Sequence, residues 1–212
     1  MVSSKDSKTG CDLPVVYCPA CGFVQQQTIP TDEELSIYYA HNYRLDYKST
    51  YVPQLKHVDR AGRAALKRLS WLYQFATSQP SQKLIDIGAG GGEFVYLASR
   101  LGFDAYGIEP NQGYSEFAKR EYGIEIRTEM VNDLSRDSAN IVTLFHVLEH
   151  VANPSSLFEK LWFVLQPNGH VLVEVPNVLQ ADASPSNIFF KAHLHYFSRS
   201  TLTAFASPWF DV

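Results

Sequence analysis

The segment from Leu84 to Phe94 has the composition of a turn that binds a ligand through its backbone. It reads LIDIGAGGGEF, with a short apolar stretch before Asp86 and glycines from Gly88 onward. Glycines leave the peptide amides accessible, and the positive end of a helix dipole attracts polar or anionic groups. In an open parallel sheet, ligands bind at this position, beyond the carboxyl end of a strand. The sequence therefore predicts a ligand-binding turn between a strand and a helix.

The spacing of the glycines separates two classes of ligand. A dinucleotide-binding turn has glycines at its first, third and sixth positions, but the sixth position counted from Gly88 is Glu93. A carboxylate there would repel a pyrophosphate, which disfavours an NAD-dependent oxidoreductase. Glu109 follows Asp86 by 23 residues at the end of the next apolar segment. A carboxylate at that position can accept hydrogen bonds from both ribose hydroxyls.

The pattern Asp-x-Gly-x-Gly-x-Gly at residues 86–92 resembles the first motif of the class I S-adenosylmethionine (SAM)-dependent methyltransferases. The resemblance continues through FHVLEHVANP at residues 145–154, QPNGH at 166–170 and the segment 192–202, so it covers about residues 80–212. It implies that Glu129 hydrogen-bonds the adenine amino group and that Met130 packs on the ring, although the family often has aspartate instead of Glu129. The SAM-binding residues implied by the resemblance are Asp86, Gly88, Ala89, Gly90, Glu109, Pro110, Glu129, Met130, Phe145 and His146.

Three cysteines, Cys11, Cys18 and Cys21, lie close together, and the rest of the chain has none. The sequence Cys-Pro-Ala-Cys-Gly beginning at Cys18 has the form of a zinc knuckle. Its surroundings resemble the second knuckle of the zinc-bearing N-terminal region of certain methyltransferases, including deoxysugar C-methyltransferases. A structural zinc site needs four ligands. Cys11 offers a third thiolate, and the sequence has no second CxxC pair. His41 is a conceivable but unsupported further ligand, and a metal-free turn with ordinary thiols is the alternative.

Methyl transfer is a displacement at a sulfonium, for which an enzyme aligns the nucleophile and, where needed, removes a proton. Histidine suits the second task because its pKa lies near neutrality. We predict His193 as the base and His195 as the second choice. The sugar C-methyltransferases that this region resembles have a His-Glu-His stretch at the corresponding place. Leu194 replaces the glutamate, which argues against the same substrate chemistry, and a structural role for both histidines is the alternative. His150 is expected to be structural, and Glu149 and Glu174 are unranked helpers.

Apolar runs and amphipathic stretches predict the elements that position these residues. The expected fold is a doubly wound α/β domain with a mainly parallel, Rossmann-like sheet, preceded by a small N-terminal extension with the cysteines and a helix. The predicted strands are Lys83–Ile87, Ala105–Glu109, Ile124–Arg127, Asn140–Phe145 and His170–Val175. The predicted helices are Leu55–Thr77, Phe94–Leu101, Gly113–Tyr122, Pro154–Leu165 and Ser200–Ala206, with a short one after the capping box Thr31–Glu34.

We divide the chain into three parts on this basis. Residues 1–54 contain a flexible leader over 1–10 and the zinc-knuckle-like region, residues 55–79 form a connecting helix, and residues 80–212 form the SAM-binding domain. The resemblance further implies an antiparallel pair of strands after the last helix, and this sequence reaches only the start of that pair.

Composition narrows the function further. The chain has 212 residues, 45% of them hydrophobic and 19% charged, as in ordered globular proteins. Its net charge of −4 argues against nucleic acid as a partner. No apolar run approaches the ~20 residues that cross a bilayer, and the first ten residues are too polar for a signal peptide. We expect a cytoplasmic protein without a membrane partner, and its oligomeric state is left open.

These observations favour a SAM-dependent methyltransferase that acts on a small-molecule acceptor. The acceptor is either a nucleotide-linked sugar or an oxygen or nitrogen nucleophile of a biosynthetic pathway. The alternative is a catalytically inactive SAM-binding domain or a zinc-knuckle interaction module.

Overall fold

The computed structural model describes residues 3–43, 53–75, 81–180 and 188–212. The strands are β1 Ser3–Lys5, β2 Asp12–Tyr17, β3 Val24–Gln26, β4 Lys83–Ile87, β5 Asp104–Ile108, β6 Ile126–Arg127, β7 Ala139–Phe145, β8 Leu165–Glu174 and β9 His195–Tyr196. The α-helices are α1 Asp32–Ile37, α2 Leu55–Phe75, α3 Glu93–Arg100, α4 Gln112–Tyr122, α5 Pro154–Val164 and α6 Arg199–Ala206. The chain divides into two compact units, which we call the sheet unit (36–145 and 163–173) and the terminal unit (1–35, 146–162 and 174–212).

The sheet unit contains a five-stranded sheet in the order β6-β5-β4-β7-β8. Strand β4 pairs in parallel with both β5 and β7, and β5 pairs in parallel with β6. Leu84, Ile85, Ile141, Val142 and Leu144 are fully buried, as expected for parallel strands covered on both faces. The predicted doubly wound α/β fold is confirmed.

The predicted strand bounds differ most at the two edges of this sheet. Strand β6 is only Ile126–Arg127, and β8 begins at Leu165 rather than at His170. The first residue of β8, Leu165, is buried, but residues 166–169 are half-buried or exposed and have no apolar pattern, and Asn168 has a left-handed φ of 63°. Edge residues that lack an alternating apolar pattern cannot be identified as part of a strand from the sequence.

Helix α2 covers one face of the sheet. Its residues Ala65, Leu69 and Leu72 are buried in a core cluster with Leu84 and Ile141. The apolar stripe read from the sequence is thus the buried face, and the helix follows the predicted course from Leu55 to Phe75. Residues 76–80 lie outside the part of the chain that the structure describes.

Gly107 on β5 allows the ligand-binding turn to lie against this strand. A Cβ at Gly107 would contact the Ala89 Cβ and would lie 2.6 Å from the Ile126 Cδ1 and 3.2 Å from the Val95 Cγ2. Because buried side chains cannot give way freely, we expect Gly107→Ala to lower the free energy of unfolding by about 1–3 kcal/mol. Chemical denaturation of both proteins measures this. Gly62→Ala is the matched control, because a Cβ there would meet no atom of the described residues within 4 Å apart from its chain neighbours and the backbone of its own helix.

The terminal unit contains a four-stranded antiparallel sheet in the order β1-β2-β3-β9. Its core includes Leu13, Val15, Val24, Ile188 and Tyr196. This sheet was not predicted, since its strands are short and come from distant parts of the sequence.

Residues 3–10, expected to be a flexible leader, instead contain β1 and a turn built on Asp6. The Asp6 carboxylate is buried and accepts hydrogen bonds from the amides of Lys8, Thr9 and Lys191 at 2.6–2.9 Å. This turn could not be predicted from the polar sequence, because a capped turn needs only one buried carboxylate and no apolar pattern.

The predicted capping box before α1 is present. The Glu34 amide donates to the Thr31 hydroxyl, and the Thr31 amide donates to the Glu34 carboxylate.

Residues 207–212, after α6, form a turn and an irregular segment. Within the described ranges, no helix combines the length and the apolar character that crossing a membrane would need.

Candidate active site

The ligand-binding turn begins where β4 ends and continues into α3. Gly88 and Gly90 have φ angles of 72° and 56°, in the left-handed region that favours glycine. The amides of Gly88 and Ala89 donate hydrogen bonds to the Ile108 carbonyl at 2.8 and 3.0 Å. These bonds hold the turn against the carboxyl end of β5, next to Glu109.

Glu109 contacts the turn directly. Its side chain is buried, and its Oε2 accepts a hydrogen bond from the Gly90 amide at 3.1 Å. Its Oε1 accepts a second bond from the Asn111 amide at 3.2 Å. Each carboxylate oxygen has two lone pairs, so it can accept more than one hydrogen bond. The structure therefore brings together the glycine-rich turn and the carboxylate predicted to bind ribose.

Asp86 lies behind the turn in the middle of the sheet. It is buried, and its Oδ1 accepts a hydrogen bond from the Thr143 hydroxyl at 2.6 Å. Burial raises the pKa of Asp86 to about 7, against the lowering effects of the Thr143 hydroxyl and of Arg68. Such a strongly perturbed carboxyl group at the end of a central strand is typical of a functional site.

The other residues of the sheet unit that were predicted to bind SAM differ from one another in burial and contacts. Met130 is exposed, and its amide donates to the Asp133 carboxylate at 2.9 Å. Glu129 and Pro110 are partly buried, and Ala89 is buried. The Phe145 ring packs against Phe94, with ring centroids 4.8 Å apart. Phe145 is therefore a core residue as well as a neighbour of the predicted site.

Sequence reasoning missed Thr143 and Asn111. Thr143 lies opposite Asp86 in the register of β7 and β4, and the signal was a single hydroxyl in the apolar run from Ile141 to Leu144. Asn111 is buried and caps α4, accepting a hydrogen bond from the Tyr114 amide at 3.2 Å. Its signal was an amide residue two positions before the predicted start of a helix at Gly113.

In the terminal unit, the predicted base His193 lies in a buried group of titratable side chains. Its Nδ1 donates a hydrogen bond to the Ile188 carbonyl at 2.9 Å, and its Nε2 lies 3.9 Å from the Glu149 Oε1. Burial and the neighbouring His150 lower the pKa of His193 to about 4, despite the opposing charge of Glu149. The imidazole is therefore neutral at pH 7, with its lone pair on Nε2.

The second predicted base, His195, is held by backbone and by aromatic packing. Its Nε2 donates to the Ala152 carbonyl at 3.2 Å, and its ring stacks on Phe23 at a centroid distance of 5.6 Å. Burial lowers its pKa. These contacts favour the structural role that was the alternative for this residue.

His146 directly follows β7 and has a left-handed φ of 59°, which is unusual for a residue with a side chain. Its Nδ1 lies 3.3 Å from Glu149 and its Nε2 lies 3.1 Å from Glu174. Burial alone would lower the pKa of His146, but the hydrogen bonds to the two carboxylates raise it to about 9. Both ring nitrogens therefore contact carboxylates, and no feature of the sequence indicated this bridge.

Cys18 and Cys21 lie in the turn between β2 and β3. The Gly22 amide donates to the Cys18 carbonyl at 2.9 Å, and hydrogen bonding from the Cys21 amide lowers the pKa of the Cys18 thiol. The turn presents two thiols, and zinc binding by them stays a prediction. All three cysteines are free and exposed, and no third ligand joins these two within the described part of the chain.

Comparison with known proteins extends these findings. The sequence profile of the family described as "Methyltransferase domain" matches residues 55–206. A ubiquinone biosynthesis O-methyltransferase from Acinetobacter baylyi is 29% identical over 119 residues, which are 52% of this chain and 50% of that protein. The chain thus spans about half the length of the curated relatives it matches.

Two solved structures share the fold. The phosphoethanolamine N-methyltransferase 2 of Haemonchus contortus in complex with SAM has a TM-score of 0.63 at 14% identity, over 87% of this chain and 45% of that one. A SAM-dependent methyltransferase from Archaeoglobus fulgidus has a TM-score of 0.59 at 18% identity, over 79% and 72% of the two chains. With the family match and the turn geometry, these likenesses show that the chain belongs to the class I SAM-dependent methyltransferase family.

Proposed function

We propose that the protein transfers a methyl group from SAM to a small-molecule acceptor. The observation that carries this proposal is the hydrogen bond from the Gly90 amide to Glu109, the carboxylate predicted to bind ribose. When bound, SAM supplies the electrophilic methyl group on its sulfonium.

The residues of the sheet unit have distinct roles in this proposal. Glu109 accepts hydrogen bonds from the ribose hydroxyls, and the turn from Gly88 to Gly90 receives the amino-acid end of the cofactor. Glu129 and Met130 hold the adenine ring. Glu93 supports the exclusion of NAD, because a Cβ on Gly91 would lie only 2.6 Å from the Glu93 carboxylate. That carboxylate thus lies against the turn, where it would repel a pyrophosphate.

For the acceptor, we propose an oxygen nucleophile such as a phenolic hydroxyl. The proposal is supported by the curated relatives, which are named O-methyltransferases. A nucleotide-linked sugar is the second acceptor class, and it depends on the cysteine turn, whose geometry supplies two metal ligands. Three free thiols also support a reducing compartment, so we propose the cytoplasm as the location.

We propose His193 as the base that removes the acceptor proton. Its Nδ1–H is fixed on the Ile188 carbonyl, which leaves the Nε2 lone pair to accept a proton. We expect His193→Ala to slow the formation of S-adenosylhomocysteine by about 10²–10⁴-fold. Because the pKa of His193 lies near 4, its protonation should leave the rate independent of pH between 6 and 8.

The test follows S-adenosylhomocysteine formation by chromatography with a panel of phenols and nucleotide sugars. SAM affinity, measured by titration, should be unchanged in His193→Ala, and the exposed His170→Ala is the matched control. Equal rates for His193→Ala and wild type would reject His193 as the base. SAM binding without turnover of any acceptor would favour the inactive SAM-binding module.

A further inference from the structure

Glu149, His150 and His193 form a buried group in the terminal unit, which we call the Glu–His–His centre. The exposed fractions of these residues are 0%, 8% and 6%. The Glu149 Oε1 lies 4.0 Å from the His150 Nε2 and 3.9 Å from the His193 Nε2. Each residue offers one ligand atom, and these three atoms lie within 4.8 Å of one another.

The hydrogen bonds of the two rings determine which atoms face inward. The His150 Nδ1 is 2.7 Å from the Ala192 carbonyl, and the His193 Nδ1 is 2.9 Å from the Ile188 carbonyl. A carbonyl oxygen can only accept, so each Nδ1 carries the proton. In neutral rings both Nε2 atoms are then lone-pair acceptors, and both are directed to the Glu149 carboxylate.

One carboxylate oxygen of this centre lacks a partner in a buried place. The Glu149 Oε2 is buried, and no hydrogen-bond partner for it lies among the residues that the structure describes. If both rings are neutral, their Nε2 lone pairs face this carboxylate, and a positive centre between the three groups would stabilise the arrangement. His146 binds the other oxygen, Oε1, at 3.3 Å.

We propose that the Glu–His–His centre binds a divalent transition-metal ion of the Zn²⁺ or Co²⁺ type. Two imidazole nitrogens and one carboxylate oxygen are a recurring set of three protein ligands for such ions, with further positions filled by water or substrate. Mg²⁺ is disfavoured because it prefers oxygen ligands. The contacts of both Nδ1–H groups with backbone carbonyls are those that orient metal-binding histidines. The ion would bind one Glu149 carboxylate oxygen and both Nε2 atoms.

Metal binding has a consequence for His193. One Nε2 lone pair serves either an ion or a proton, so His193 acts as a free base only in the metal-free protein. The activity of His193→Ala does not distinguish these states, whereas a direct measurement of metal binding does. The metal proposal is thus tested without the proposed methyl transfer, although a bound ion would prevent His193 from acting as the base of that transfer.

The test uses the full chain with Cys11, Cys18 and Cys21 replaced by serine, so that thiolates cannot hold the metal. After treatment with a chelator, this protein is titrated with Co²⁺ and followed by its visible absorption. We expect one Co²⁺ per chain, with the ligand-field bands of nitrogen and oxygen ligands. We expect His193→Ala or Glu149→Gln in this background to weaken Co²⁺ binding by more than about 100-fold, beyond the loss of a merely supporting hydrogen bond.

His170→Ala, which removes an exposed histidine, should leave the titration unchanged. Circular dichroism shows whether each variant is folded, and the cysteine-free protein decides the matter even if a substitution at the centre prevents folding. Absence of stoichiometric Co²⁺ binding by the folded cysteine-free protein would overturn the proposal. Binding that survives in folded Glu149→Gln and His193→Ala proteins would overturn it as well.

Discussion

The Glu109→Gln variant is expected to lose SAM affinity by at least about 100-fold. The glutamine amide can present only one oxygen to the Gly90 and Asn111 amides that now donate to the two carboxylate oxygens. Hydrogen bonds to a charged group contribute about 1.5–3 kcal/mol each, and each 1.4 kcal/mol changes an affinity tenfold. Two weakened bonds to ribose hydroxyls therefore produce an effect of this size.

Calorimetric titration with SAM measures this change. Glu121→Gln removes an exposed carboxylate that pairs with Arg120, and it should leave the affinity unchanged. Thermal unfolding of both variants separates a loss of binding from a loss of folding. An affinity in folded Glu109→Gln within a few-fold of wild type would remove Glu109 from the proposed site.

The Asp86→Asn variant is expected to remove a large pH dependence of stability. The folded protein keeps the Asp86 proton up to about pH 7, whereas the unfolded chain loses it near the ordinary aspartate pKa of 3.8. The folded state thus binds the extra proton between these values, and the free energy of unfolding falls as the pH rises through this window. The contribution of Asp86 is fully present below about pH 4 and amounts to about 4 kcal/mol, lost by pH 8.

Denaturant unfolding at a series of pH values from 4 to 8 measures the difference between wild type and Asp86→Asn. Subtracting one stability curve from the other cancels the contributions of groups that titrate in both proteins, such as His146. Thr143→Val provides a second variant, because loss of the hydroxyl that lowers the pKa of Asp86 should extend the decline to higher pH. Parallel stability curves for wild type and Asp86→Asn would contradict the raised pKa.

The sheet unit could be predicted from the sequence because its information is local. Strand β4 was predicted with its observed bounds, since Leu84 and Ile85 are a short apolar run between a lysine and a glycine turn. The contact of Glu109 with the turn follows from parallel strand order, because neighbouring strands end at the same edge of a sheet. The pKa of Asp86 could not be predicted, as it depends on Thr143 and Arg68 from other elements.

The structure of the terminal unit could not be predicted, because it depends on contacts between residues that lie far apart in the sequence. Strand β3 pairs with β9, and the Gln26 side chain donates to the carbonyls of Lys191 and His193. His193 was predicted as the base from the family resemblance, but the proximity of His193 to Glu149 depends on the tertiary fold. The left-handed φ of His146 has no sequence signal either, since histidine there offers none of the freedom of glycine.

Calorimetric titration of the wild-type chain with SAM, beside a parallel titration with NADH, tests the cofactor assignment most directly. The geometry of the glycine turn and Glu109 predicts that one equivalent of SAM binds and that NADH does not. Binding of NADH in place of SAM, or of neither by a folded sample, would contradict the assignment of this site.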